Sequence, residues 1–429
     1  MDTKTAAGTA AGALRPRHVA AVAAGNALEF YDFLTYGFFA PQIGRAFFPS
    51  KNHTTELLVA LATFGVGFLM RPVGAAAIGM IADKVGRKPA MLLALMLMGA
   101  TMLGMALIPP AAQIGAWAGF LAVACRMIQG FALGGQVGPA TSYLVEAAPP
   151  NRRGFFVSLQ FVSQQLAIIV SGVVGFTLAH SLSEAALGSW GWRVAFLVGL
   201  VIVPFGLFLR RGLEESLPAE PRAQATAPAT PKGFGVTAVL GLLLLAGGTT
   251  VNYLGNYTTT YATQTLHLSS VVGFTSTILV GVGGLIGAAV GGWAGDRYSR
   301  RALIVWPFAL QVLIMIPMFM AVVATRSPAV LWATGAVFTF VNSLYSTNTL
   351  VFITERMPAA IRGRSTGLIY AVSISVFGGS TQFIVAGLTA LTRSPLAPAW
   401  YATGIVALSL VASLFLPKKA SEGLSEPTA

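Results

Sequence analysis

Charge is what this sequence has least of. Asp, Glu, Lys and Arg make up 10% of its 429 residues, against about 25% in a soluble globular protein. A chain with so little charge cannot cover itself with a solvated surface. Cysteine is scarcer still. The one thiol, Cys125, falls inside an apolar run, which excludes a disulfide framework and a cysteine metal cluster. There are four histidines, and no His pair, Cys nucleophile or phosphate-binding loop stands at a usable depth. Neither an enzyme active site nor a metal site is therefore expected. His53 and His267 read as outer-loop residues. The first 17 residues are polar and Ala/Thr-rich and lack the short apolar core and cleavage site of a secretory signal. They read as a flexible tail.

What is abundant is apolar. Hydrophobic residues make up 55% of the chain, with 48 glycines and a mean hydropathy of +0.73. Counted in runs of roughly 20 residues, the sequence holds twelve candidate spans. The expected fold is an all-α membrane protein of twelve transmembrane helices in two six-helix halves. A tail over 1–17 precedes a first bundle at 18–209. A polar, Pro- and Ala-rich linker at 210–234 leads to a second bundle at 235–416 and a tail at 417–429. The net charge of +13 could suggest a nucleic-acid partner, but its distribution argues against one. With the N-terminus inside, inner loops and tails hold 20 of the 27 Lys and Arg. The outer loops hold Arg45, Lys51, Arg326 and Arg393. This is the positive-inside pattern, with both termini cytoplasmic and the lipid bilayer as the surrounding partner.

The chain is written twice. Glu146-x-x-Pro149-x-x-x-Arg153-Gly154 returns as Glu355-x-x-Pro358-x-x-x-Arg362-Gly363. The loop carrying Gly79, Asp83, Lys84, Gly86, Arg87 and Lys88 is matched by Gly292, Asp296, Arg297, Arg300 and Arg301. Both offsets are close to half the chain, and parallel six-span repeats are a transporter device.

Ionisable groups inside the spans mark candidate sites, because a charge in the hydrocarbon region is costly. In span 1, Glu29 and Asp32 are three apart and share a helix face. Asp32 lies ~21 Å in from the inner end at 1.5 Å per residue. Arg71 in span 2 lies ~18 Å before Asp83, again near the midplane, with Pro72 able to kink the helix there. Arg126 is ~14 Å into span 4, followed by Gln129. Gln160 and Gln164 in span 5 face one way. Span 7 carries Asn252, Tyr253, Asn256 and Tyr257, two i,i+4 pairs too polar to face lipid. Span 10 adds Asn342, Tyr345 and Asn348. Span 8 reads as glycine-rich packing, span 9 as lipid-facing, and Arg193 as an interfacial anchor.

The loop after span 2 fits G-x-x-x-D-[KR]-x-G-[RK]-[RK], the signature of the major facilitator superfamily, which the chain resembles over nearly its whole length. Within it, GNALEFYDFLTYG, FLMRPVGAAAIG, RMIQGFALGG, YLVEAAPPNRRG and WGWRVAF are similar to the metabolite:proton symporter family. TTVNYLGNYTTTYATQTLHLS and SPLAPAW resemble the citrate and tricarballylate carriers. The resemblance implies alternating access and a monomer in a bacterial inner membrane. It also implies protons as coupling ion, with no other cofactor. An inner gate would be built from Asp83, Arg87, Glu146, Arg153, Asp296, Arg300, Glu355 and Arg362, with Asp83 meeting the opening of span 11 near Arg364 and Ser365. Family members usually carry glutamate where Gln136 stands, so coupling would fall to Asp32 or Glu29.

The residues support an anionic substrate independently. Two carboxylates roughly balance two arginines in the empty site. Arginine offers a planar fork suited to carboxylates. Protonating Asp32 would free Arg126 for the substrate, which couples proton to anion. The expected activity is proton-coupled uptake of citrate or a related di- or tricarboxylate. Two alternatives stay open. One is a carrier for another metabolite, such as an aromatic acid like shikimate or a betaine/proline zwitterion. The other is a non-transporting nutrient sensor on the same scaffold.

Overall fold

The computed structural model describes residues 26–416 apart from 28–29, 32, 86, 135–147, 150, 201–203, 205–233 and 358–361. The side chains of 82, 83, 87, 88, 91, 234 and 362–364 also lie outside the description. Among the described residues the chain is helical, with no strand.

Among the described residues, eight helices are long and apolar enough to cross a membrane, and Leu92–Leu107 and Trp117–Leu133 add two shorter apolar ones. Spans 1 and 6 run into residues outside the description. In order, the chain forms α1 (Ala40–Phe47), α2 (His53–Leu69), α3 (Arg71–Lys84), α4 (Arg87–Leu107), α5 (Trp117–Leu133), α6 (Arg153–Ser181) and α7 (Trp192–Leu200). The second half forms α8 (Phe234–Asn256), α9 (Ser270–Gly295), α10 (Arg300–Thr325), α11 (Pro328–Arg356), α12 (Arg362–Ser373), α13 (Gly379–Thr392) and α14 (Ala397–Leu414).

Local chemistry sets the helix ends. Asn52 opens α2 by accepting from the Thr54 N–H at 2.9 Å, and Ser269 and Ser299 cap α9 and α10. Such caps satisfy amides that an open helix start would leave bare. Span 2 breaks at Met70, with Pro72 in the first turn of α3. Span 11 is likewise divided into α12 and α13 by a wide turn over Ile374–Gly378. Arg193 does more than anchor an interface. Its Nη1 donates to the carbonyls of Ala106 at 2.8 Å and Ile108 at 2.7 Å, closing the end of α4. Span 9 is only partly lipid-facing, because Gln311 on α10 is fully buried.

Two contacts position the centre of the first half. A Cβ at Gly130 on α5 would fall 1.7 Å from the Gly67 carbonyl oxygen, and one at Gly134 would fall 2.0 Å from that of Arg71. Only glycine permits the backbones to approach so closely. This pairing brings the helix that bears Arg126 against those that bear Arg71. The two halves meet along α6 and α9, where Gln165 Nε2 also reaches Ser343 Oγ on α11 at 3.3 Å.

Candidate functional site

Arg126 is fully buried on α5, and its Nη1 donates to Gln129 Oε1 at 2.5 Å, one helical turn on. Its guanidinium lies over three rings, 4.5 Å from the Phe33 centroid, 4.5 Å from Tyr36 and 5.2 Å from Phe64. Arg71, 5% exposed, lies 4.6 Å from the same Phe33 ring and 4.4 Å from Phe68. The two arginines therefore share Phe33. Each cation–ring contact contributes about 0.5–2 kcal/mol, most where water is excluded. Phe64 and Phe68 pack edge-on against Tyr253 of α8, at 6.2 and 5.3 Å. The cage is thus built by the first half and roofed by the second.

Several polar groups around it are buried without a hydrogen-bond partner of good geometry: Arg71 Nε, the Tyr253 hydroxyl and Gln164 Nε2. A buried donor left unmade costs about 1–3 kcal/mol, so a cluster of them marks a place prepared for a ligand or water. Arg71 makes no ion pair with any described carboxylate. Gln160 is buried on the same stretch of α6, where Asn26 donates to its carbonyl at 3.1 Å and to Ser163 Oγ at 2.8 Å.

Not every expected residue joins this cluster. Tyr257 faces the interior of the second half, lining a small apolar cavity with Leu254, Tyr261, Phe319 and Phe338. Tyr345 stacks on Phe308 of α10 at 3.9 Å. Asn348 donates to the carbonyls of Gly291 at 3.1 Å and Leu344 at 2.8 Å, tying α11 to α9. Asn342 is buried and holds Ser346 at 3.4 Å. Asn256 is buried with both amide atoms unpartnered, while Asn252 is half-buried. Glu29, Asp32, Glu146 and Gln136 lie outside the described residues.

The end of the molecule that bears most basic residues is closed by ion pairs and a helix cap. Glu355 at the end of α11 pairs with Arg300, and with Arg153 at 3.6 Å. Both Asp296 oxygens accept from the start of α6, Oδ1 from Gly154 N at 2.6 Å and Oδ2 from Phe155 N at 2.9 Å. A carboxylate there satisfies open amides and meets the positive helix end. Asp83 lies on α3, Arg87 opens α4 and Arg362 opens α12; their side chains are outside the description.

Sequence reasoning missed five features of the site. Phe33 and Tyr36, Phe64 and Phe68, and Tyr370 on α12 were passed over. So were Gln382, which approaches the Tyr253 carbonyl at 3.5 Å, and Glu184 at the opposite end. There, Glu184 Oε1 accepts from Ser270 N at 3.3 Å and Oε2 accepts from Ser270 Oγ at 2.9 Å. A signal existed for some. Phe64, Phe68 and Arg71 follow i, i+4, i+7, one helix face. Thr366, Tyr370 and Ser373 repeat that spacing, and all three are buried.

Comparison with known proteins bears on this arrangement. Residues 22–381 match the family model of the Major Facilitator Superfamily. The chain belongs to that superfamily. It is 34% identical to a citrate-proton symporter of Klebsiella pneumoniae, covering 96% of this chain and 94% of the relative. It is 33% identical to an alpha-ketoglutarate permease of Escherichia coli, covering 94% and 93%. A solved D-xylose-proton symporter superposes with a TM-score of 0.77 at 18% identity, covering 95% of this chain and 99% of that one. Membership makes this a twelve-helix transport protein rather than an enzyme.

Proposed function

We propose that this protein is a proton-coupled symporter of small polycarboxylates, citrate or a dicarboxylate such as 2-oxoglutarate, working by alternating access in a bacterial inner membrane. The observation that carries the reading is the pair Arg71 and Arg126, buried on one shared ring. Two guanidiniums held that close repel each other in a low-dielectric site, and one small polycarboxylate touching both removes the repulsion. The names of the relatives support the same substrate class.

Coupling follows from charge balance. Asp32, one residue before Phe33 in sequence, is the proposed proton acceptor, with Glu29 as its neighbour. Ionised, it competes with the substrate for the arginines. Protonated, it releases them. The anion therefore binds best to the protonated carrier, and the two move together. Gln129 supports Arg126, and Gln160 and Gln164 line the approach. Tyr253, Asn252 and Asn256 serve the second half; Tyr257, Asn342, Tyr345 and Asn348 shape its interior. Asp83, Arg87, Glu146, Arg153, Asp296, Arg300, Glu355 and Arg362 form the gate at the basic end.

The test is labelled citrate uptake into proteoliposomes with and without an inward proton gradient. Uptake that rises with the gradient and collapses with an uncoupler is expected. Wild-type protein that moves neither citrate nor 2-oxoglutarate, beside an active control carrier, would reject the reading. Asp32→Asn is expected to keep citrate counterflow but lose uphill accumulation. Undiminished accumulation in that variant would remove Asp32 from the coupling step.

A further inference from the structure

The second half offers few charges to an anion, yet a symporter must close both halves on its cargo. The geometry around Arg71 shows how phenols could do this.

Ser375, in the wide turn between α12 and α13, donates to the Phe68 carbonyl at 2.8 Å. That bond fixes the register of span 11 against span 2. From it, Arg71 lies three residues toward the basic end and Tyr370 five residues toward the same end, because the two spans run antiparallel. At 1.5 Å per residue their levels differ by about 3 Å along the axis. Tyr370 is buried, lies beside Gln164 of α6, and is within electrostatic reach of the Arg71 guanidinium. Span 7 completes the ring. Gly378 leaves room for the Tyr253 ring, since a Cβ there would come within 2.8 Å of it. The Tyr253 hydroxyl faces Arg71 as well and has no hydrogen-bond partner of good geometry.

We propose that Tyr370, together with Tyr253, binds the second oxygen of a substrate carboxylate whose first oxygen is held by Arg71. The carboxylate then joins the two halves, with a guanidinium from one and phenol O–H groups from the other. An ionised carboxylate accepts only, with about four lone-pair sites, and every group named here can donate to it. An ammonium in the same place would meet a buried cation and, among the described residues, no carboxylate to pair with. The arrangement therefore selects carboxylates over the ammonium end of a zwitterion. It also gives closure a cause, because the Tyr253 hydroxyl gains a hydrogen-bond partner of good geometry only when the anion is present. This proposal rests on the symport reading above and refines it.

The experiment uses the full-length protein in proteoliposomes for transport and in detergent for citrate binding and thermal melting. Tyr370→Phe and Tyr253→Phe keep each ring and remove only the hydroxyl. Tyr257→Phe, in the apolar interior of the second half, is the control. Each of the first two is expected to raise the KM and Kd for citrate about tenfold, while the melting temperature without ligand stays at the wild-type value. The control should match wild type in all three. Tyr370→Phe with wild-type KM and Kd overturns the proposal alone. A melting temperature that falls without ligand while the Kd is unchanged also overturns it, since that is the mark of packing. Wild-type protein that binds no carboxylate in the same assays overturns the symport reading instead, and this inference with it.

Discussion

Phe33 is the residue on which the centre depends most. It is fully buried, packs against Phe64 at 4.8 Å and Phe68 at 4.6 Å, and presents its ring to both arginines. Removing the ring loses two cation–ring contacts, each about 0.5–2 kcal/mol, and leaves two like charges with less between them. Phe33→Leu keeps much of the apolar volume, so the fold should survive. The expected result is a citrate Kd raised about tenfold and a melting temperature lower by a few degrees; unchanged binding would show that the ring only fills space. Part of this was legible in the sequence. Buried charges announce themselves in an apolar chain, so Arg71 and Arg126 stood out. Phe33 did not, because a phenylalanine in a membrane span is ordinary until its neighbours are known. Tyr345 and Asn348 show the other side of the same difficulty. They are polar and near mid-span, and sequence alone does not reveal that Tyr345 stacks on Phe308 and Asn348 bonds the Gly291 and Leu344 carbonyls.

At the scale of elements, α6 and α9 form a seam that is latched at each end by the same chemistry in opposite directions. At the basic end Asp296, following α9, caps the start of α6. At the far end Glu184, following α6, caps the start of α9. Between them the halves also touch where a Cβ on Gly65 would fall 2.8 Å from the Gly379 carbonyl oxygen, and where Phe39 meets Phe274 at 5.0 Å. The arginine cage is thus enclosed from both sides. Opening toward either side must break one latch and can keep the other. Asp296→Ala should bias the protein open at the basic end, and Glu184→Ala should bias it open at the far end. Each costs a charge-assisted pair of hydrogen bonds, about 1.5–3 kcal/mol. Spin-label distances across each end would read the bias, and equal distances in both variants would dismiss the latches as passive contacts. The Asp296 latch was half-visible in the repeat, which pointed to its partner Asp83. The Glu184 latch left no trace, since a loop glutamate is unremarkable without the helix start it meets.

For the molecule as a whole, the duplicated chain was the most legible feature, because repeats and apolar runs are properties of sequence alone. Orientation follows from it by charge. Lys84, Arg152, Arg153, Arg297, Arg300, Arg301 and Arg356 cluster at one end among the described residues, against Arg45, Lys51, Arg326 and Arg393 at the other. Lys and Arg are retained on the cytoplasmic side during insertion, so the Asp296 latch should face the cytoplasm and the Glu184 latch the outside. In a Cys125→Ser background, a cysteine introduced at Lys51 or Arg393 should react with a membrane-impermeant maleimide added to intact cells. One at Arg297 should react only after the membrane is broken. The reverse pattern would exchange the two latches, with Asp296 facing outward and Glu184 the cytoplasm, while uptake would still follow the inward proton gradient, because proton and anion move together.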